Sequence, residues 1–409
     1  MLATPPLRGV LCCREAVCNA GTRLTAVKYT ASVRAVSAEQ PTPSRAAEPT
    51  PGKARSPWAY APRILISLAI AGGFVWLFKR GGLPLIPPAS TLQAVQPWAV
   101  AAYLAATLLG TYLRVHRWVP LLRPVAPDIS ERRVVSVGLV GIATIMLAPL
   151  RMGEAVRPYL LARDGKVKFF QALGAAGAER VVDGLVLIVT AAIAFTLSTP
   201  LSPLPDHLGE VALPVSVIPK ALFGAAAVFI GGAVALTVFY FARGFAHSIT
   251  TRLLSPISPK LASFVTGTLE RLADGLSVLS SPGNRERFFG ETLAYWLCQF
   301  TAQWLLLRGC GIEASLPQTC VTLGVLGLGV IVPAGPGLFG AFQIGTYSGL
   351  ALYFPLEILR TSGAALAFFS YAGQLVANLL SLGVGLWLFS RTKETKPLSV
   401  VSAQSTSES

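Results

Sequence analysis

Apolar runs close to the thickness of a bilayer core recur along most of this chain, and they constrain its fold before any motif is considered. They cover residues 63–78, 95–114, 134–150, 170–198, 219–243, 288–308, 316–334, 337–354 and 361–389. A membrane helix requires roughly 20 predominantly apolar residues. Hydrophobic residues make up 53% of the 409 and charged residues only 13%, against about 25% charge in a soluble domain. The expected fold class is an all-α polytopic membrane protein. It should have about six full spans plus about two broken or re-entrant hairpins, with a possible inverted repeat.

The net charge of +15 would suggest a nucleic-acid partner in a soluble protein. Here the basic residues cluster at the ends of apolar runs, where they anchor helices to an anionic cytoplasmic leaflet. No nucleic-acid-binding module is visible, so no such partner is expected. Cys12, Cys13 and Cys18 lie near the start, and Cys298, Cys310 and Cys320 lie in or near apolar runs. They form no CxxC pair and no Cys/His cluster, so neither a metal site nor a disulfide framework is expected.

Residues 1–60 read as a disordered basic tail ending in the Pro-rich "EQPTPSRAAEPTPGKARSP". Its Arg-rich start resembles a transit peptide, but Glu15, Glu39 and Glu48 weigh against one. Residues 61–391 form the membrane domain, with halves at about 63–198 and 219–389. An amphipathic interfacial segment spans 245–282, where "SFVTGTLERLADGLSVL" puts its apolar residues on one helical face. Residues 392–409 read as a second polar tail.

Loop charge sets the orientation. Residues 199–218 carry Asp206, His207 and Glu210 but no Lys or Arg, and belong outside. Arg243, Arg252, Lys260, Arg271, Arg285 and Arg287 place 243–287 inside, as Arg391, Lys393 and Lys396 place the C-terminal end. Around 134–150 both flanks are basic: Arg117, Arg123, Arg132 and Arg133 before, Arg151, Arg157, Arg163, Lys166 and Lys168 after. A single span cannot have both ends inside, whereas a re-entrant hairpin breaking at Pro149 can. Segments 316–334 and 337–354 admit the same shape, or two full spans; charge alone does not decide between these.

The two breaks are alike. "LAPLRMGEAVR" places Pro149 four residues before Gly153, and "VIVPAGPGLFGAFQ" places Pro333 four residues before Gly337. Unpaired backbone at membrane depth is tolerated only where protein or a water-filled cavity surrounds it, so each break points to a cavity. Two halves of opposite orientation, each with a broken hairpin, match the inverted-repeat plan of secondary transporters. Coincidence is the competing explanation, since Pro and Gly are common in membrane helices.

Charged residues at membrane depth are costly and mark functional candidates. In "AERVVDG", Glu179 and Asp183 are four apart and share a helix face, and Arg180 can pair with Asp183. Glu179 then needs a cation, for which Arg157 or Arg151 are the candidates. Glu154 and Arg157 are spaced for an i,i+3 pair. Arginine forks and a helix N-terminus near Gly153 both suit a lipid phosphate. Against this stand a buried ion network that only fixes packing, and ordinary anchoring arginines. "RVHRW", Arg114 to Trp118, reads as an interfacial anchor, and His116 has no metal-ligand partner at helical spacing. With no G-x-S-x-G elbow, P-loop or H-E-x-x-H motif, neither enzymatic activity nor a cofactor is expected.

Together "PLRMGEAVRPYLLAR", "AERVVDGLVL" and "VPAGPGLFGAFQ", in this order, resemble the lysylphosphatidylglycerol synthase transmembrane region family, also called flippase-like domain proteins. The resemblance covers about 63–390. It implies an inner-membrane protein that flips a lipid; stand-alone relatives are linked to polyprenyl-phosphate sugars or hopanoids. The family's aminoacyltransferase domain would follow the membrane module, and only a short polar tail follows Arg391, so synthase activity is not expected. Arg151, Gly153, Glu154 and Arg157 match the first motif, Glu179, Arg180 and Asp183 the second, and Pro333, Gly335, Pro336, Gly337 and Gly340 the third. Gln343 stands where the family often has glutamate, which puts proton coupling there in doubt. Thr144 is the nearest polar residue before the first motif's proline.

The expected function is movement or exposure of an amphipathic phospho- or polyprenyl-type lipid between leaflets. Its headgroup would lie between the breaks, against Arg157, Arg180 and Glu179. A non-transporting accessory subunit of a lipid- or glycan-modifying complex and a small-solute transporter are the rival readings. The expected location is a bacterial inner membrane with both termini cytoplasmic, an organellar membrane being the alternative. The lipid, its direction, energy coupling and the oligomeric state are not legible.

Overall fold

The computed structural model describes residues 61–147, 153–163, 165–211, 214–275, 281–331 and 334–391. The two expected tails lie outside these residues, as do Pro149, Arg151 and Pro333.

The described residues are mostly helical, with no strand among them. The first half comprises α1 (Ala61–Gly81), the short α2 (Ala89–Ala94), α3 (Pro97–His116), α4 (Trp118–Leu122), α5 (Glu131–Leu147), α6 (Val156–Ala162) and α7 (Phe169–Thr196). The second comprises α8 (Val217–Phe241), α9 (Arg243–Leu254), α10 (Pro259–Gly275), α11 (Pro282–Gly309), α12 (Leu316–Gly329), α13 (Ala341–Ala351), α14 (Leu356–Ile358) and α15 (Ala364–Arg391). Between α12 and α13 lies a 3₁₀ turn, Pro336–Leu338.

Local chemistry explains the boundaries. Pro97 and Pro282 occupy first-turn positions in α3 and α11, where a missing N–H costs nothing. Ser315 caps α12 reciprocally with Gln318: the Ser315 hydroxyl accepts from the Gln318 N–H, and the Gln318 carbonyl accepts from the Ser315 N–H at 2.9 Å. Pro256 and Pro259 divide the expected single amphipathic segment into two helices, α9 and α10, because proline cannot continue an α-helix. Along this pair Phe245, Ile249, Leu253, Ile257, Leu261 and Phe264 are exposed, while α10 packs on α7 and α8.

Four segments are long and apolar enough to cross a membrane: Ile64–Gly81, Pro97–Leu122, Val217–Phe241 and Leu356–Arg391. Helices α7 and α11 have 28 residues each, about 42 Å at 1.5 Å per residue, and carry charged residues within that length. The outer faces of α1, α8 and α15 expose Leu65, Trp76, Val228, Phe241, Leu380 and Trp387, the surface a lipid-solvated protein presents.

The two halves pack reciprocally. Helix α3 pairs with α11, α5 with α15, and α7 with α12. Each half's long final helix thus lies against the other half's broken pair. Small residues permit these approaches. A Cβ at Gly385 of α15 would lie 2.9 Å from the Leu139 Cβ of α5, and Gly324 of α12 abuts Ala191 of α7. Within the second broken pair, a Cβ at Gly345 would lie 2.8 Å from the Leu326 Cα, and one at Gly349 2.7 Å from the Thr322 Cα. Helices α12 and α13 are therefore in near backbone contact.

Candidate functional site

Helices α3, α6, α7 and α11 bring their charged and aromatic side chains together in the interior. Glu179 and Asp183 lie one turn apart on α7, and both are buried. Arg117, at the end of α3 and 0% exposed, lies between them. Its Nη1 and Nη2 donate to the Asp183 carboxylate at 2.7 and 2.6 Å. Nη2 also donates to Glu179 at 2.6 Å, and Nη1 to the Thr292 hydroxyl of α11 at 3.2 Å. Arg157 of α6 donates to Glu179 Oε2 at 3.0 Å, and Trp118 Nε1 donates to the same oxygen at 2.8 Å. The Arg157 guanidinium stacks 3.6 Å above the Trp118 ring. Arg114 lies 3.7 Å from Glu179 and 3.8 Å from Asp183, over the Tyr295 ring at 5.6 Å. Trp296 Nε1 reaches Asp183 at 3.3 Å.

Two buried carboxylates therefore face Arg114, Arg117 and Arg157, with Arg180 beside them. Burying such charges is tolerable only when each is paired and hydrogen-bonded, and Glu179 accepts from three donors. Donor capacity remains: the Nε atoms of Arg114, Arg117 and Arg157, and Nη2 of Arg157, are buried without a hydrogen-bond partner.

Several expectations from sequence are corrected here. Arg157 does reach Glu179, one of the two cations expected for it. Asp183, however, is held by Arg117, while Arg180 points to Glu154 at 3.8 Å. The expected i,i+3 pairing of Glu154 with Arg157 gives way to these longer-range partners. Arg114, Arg117 and Trp118, read as an interfacial anchor, are instead central to the network. Their signal was present: arginines three apart on α3 complement carboxylates four apart on α7. His116, between them, contacts Glu131 at 2.6 Å and Glu291 at 2.9 Å.

A cavity of about 230 Å³ opens beside the network. Its polar lining is Thr111, Arg114, Arg180, Gln299, Gln374 and Asn378. Its apolar lining comes from both breaks: Ile142, Ile145 and Met146 near the end of α5, and Val330, Leu338 and Phe342 around the second break. The 3₁₀ turn packs on α5, so the described parts flanking both breaks border one cavity. Glu179 and Arg157, expected to contact a headgroup, lie behind its wall, 2% and 4% exposed, whereas Arg114 lines it.

The second break is held open by its glycines. Gly337 and Gly340 adopt φ of 73° and 92°, and Leu338 between them has φ 61°, a strained value for a side-chain-bearing residue. Cβ atoms at Gly335 and Gly340 would collide with Ala71 and Phe74 of α1. Pro336 begins the 3₁₀ turn. Gln343 is buried and caps α13, its Oε1 accepting from the Gly340 N–H at 2.8 Å. At the first break, Gly153 abuts the Thr144 backbone.

Apolar outward faces, bilayer-length helices and broken helices around a cavity define a multi-pass α-helical membrane protein with a buried ion network. The family profile described as the lysylphosphatidylglycerol synthase TM region matches residues 64–377, and the chain belongs to that family. Neither a curated protein nor a solved structure matches the chain.

Proposed function

We propose that this protein moves an amphipathic phospho- or polyprenyl-type lipid between bilayer leaflets. The headgroup passes through the cavity while the tails stay in lipid. One observation carries the reading: two arginines, Arg114 and Arg180, face a cavity bordered by both broken-helix segments, the place where secondary transporters put their substrate.

In this reading the broken pairs are re-entrant. Helices α5, α12 and α13 have 17, 14 and 11 residues, about 26, 21 and 17 Å, all shorter than the roughly 30 Å hydrocarbon core. With α7 and α11 crossing, both termini lie in the cytoplasm and the second half is inverted relative to the first. The reciprocal pairing of α5 with α15 and α12 with α7 supports this. The protein sits in a bacterial inner membrane, is not an enzyme, and uses no cofactor; transport is downhill or ion-coupled.

The test is reconstitution of the full chain in liposomes containing fluorescent phosphatidylglycerol, with leaflet exchange followed by dithionite quenching. Exchange well above empty liposomes, lost in Arg180→Gln at equal protein level, is expected. No exchange with any of several headgroups would replace transport by an accessory role in a lipid- or glycan-modifying complex.

A further inference from the structure

The charges around the cavity say more about the headgroup than that it is polar. Among the described residues that line it, Arg114 and Arg180 are charged and no carboxylate appears. The nearby carboxylates Glu179 and Asp183 lie behind the wall, engaged by Arg117, Arg157, Trp118 and Trp296 with Arg114 3.7 and 3.8 Å away, and Glu154, outside the lining, lies 3.8 Å from Arg180. Two further polar atoms are buried without a hydrogen-bond partner: Asn378 Oδ1, and Gln299 Oε1, which lies against Gly110 of α3. Asn378 is 7% exposed, and its amide nitrogen is already engaged by the Gln374 carbonyl at 2.8 Å and Met146 Sδ at 3.2 Å. What remains is a buried acceptor on a residue of the cavity lining. The lining thus brings cations for an anion and an acceptor for a neutral donor.

We propose that the cavity selects a net-anionic phosphodiester headgroup bearing free hydroxyls, and rejects the same headgroup once aminoacylation makes it cationic. The assignment rests on the lipid-translocating reading and names its substrate class. The phosphate lies against Arg114 and Arg180, and a hydroxyl donates to Asn378. An aminoacyl ammonium would meet two guanidiniums and no carboxylate in the lining itself; Arg114, Arg117, Arg157 and Arg180 outnumber Glu154, Glu179 and Asp183 around it, so the placement is net like-charge. This separates the chain from the lysylated lipid in its family's description.

Binding to the purified full chain separates the parts of the proposal. The probes are dihexanoyl phosphatidylglycerol, its lysyl ester, dihexanoyl phosphatidylethanol and glycerol phosphate, read by calorimetry and by fluorescence of the cavity residue Trp296. Phosphatidylglycerol is expected to bind tightest. The lysyl ester should bind on the order of tenfold weaker or worse, and phosphatidylethanol, which keeps the phosphodiester but lacks hydroxyls, severalfold weaker. Gln299→Glu, placing a carboxylate at the partly exposed wall position, should shrink or invert the preference over the lysyl ester. Asn378→Leu should erase the preference over phosphatidylethanol. Equal or tighter binding of the lysyl ester, or no binding of any probe, overturns the proposal. Glycerol phosphate binding as tightly as the lipid would overturn its lipid assignment. Translocation without this preference refutes the headgroup assignment alone; the preference without translocation refutes the transport reading alone.

Discussion

Replacing Arg117 with glutamine removes the side chain that joins the two buried carboxylates, and the structure permits an estimate of the cost. Asp183 loses a two-pronged contact at 2.7 and 2.6 Å and keeps Trp296 at 3.3 Å and Arg114 at 3.8 Å. Glu179 loses one contact at 2.6 Å and keeps Arg157 and Trp118. The loss therefore falls mainly on Asp183. Removing one partner of a buried pair costs about 3–5 kcal/mol. Arg114 remains close enough to take up part of the charge, which places Arg117→Gln near the lower end, about 3 kcal/mol. Arg117→Lys keeps the charge but loses the fork, and should cost about 1–2 kcal/mol. Arg117→Gln combined with Asp183→Asn should be less destabilised than the sum of the single changes, because no uncompensated carboxylate remains at 183. The assay is equilibrium unfolding in mixed micelles, read by thiol-dye labelling of the buried Cys310. A loss in Arg117→Gln below about 0.5 kcal/mol, or strict additivity in the double variant, would refute the reasoning.

Other perturbations test separate parts of the structure. Gly345→Val drives a side chain into the Leu326 backbone and should cost more than the roughly 1–3 kcal/mol of ordinary overpacking, seen as a lower unfolding midpoint. Gln343→Leu should cost about 1 kcal/mol by uncapping α13, whereas Gln343→Glu, which keeps an acceptor oxygen, should cost less by the same measurement. The Glu131 carboxyl, ahead of the apolar part of α5, is held below its usual range by its hydrogen bond to His116. A lowered carboxyl pKa gives stability that is full above the ordinary value and is lost as pH falls through the lowered one. The stability gap between the native chain and Glu131→Gln should therefore be largest near neutrality and close below about pH 4, as followed by unfolding across a pH series.

The helices were legible because the bilayer imposes a simple length and polarity code: runs such as 219–243 and 361–389 correspond to α8 and α15 with small boundary shifts. Both breaks were legible from Pro and Gly spacing. The partners within the ion network were less so. Local spacing favoured Arg180 with Asp183 and Glu154 with Arg157, because i,i+3 neighbours can always meet on an isolated helix. In the folded chain Arg117 reaches across from α3 to α7, and no local rule encodes that packing. The role of Gln343 was obscured in another way: comparison with a titratable residue drew attention to charge, whereas its geometry is that of a helix cap.

The cavity as the route of the headgroup can be tested by blocking it. Thr111 borders the cavity one turn before Arg114 on α3. With the six native cysteines replaced, Thr111→Cys should carry fluorescent phosphatidylglycerol between liposome leaflets at near the native rate. Labelling it with a bulky methanethiosulfonate should stop that exchange, and reduction should restore it. Unchanged exchange after complete labelling would contradict passage through this cavity.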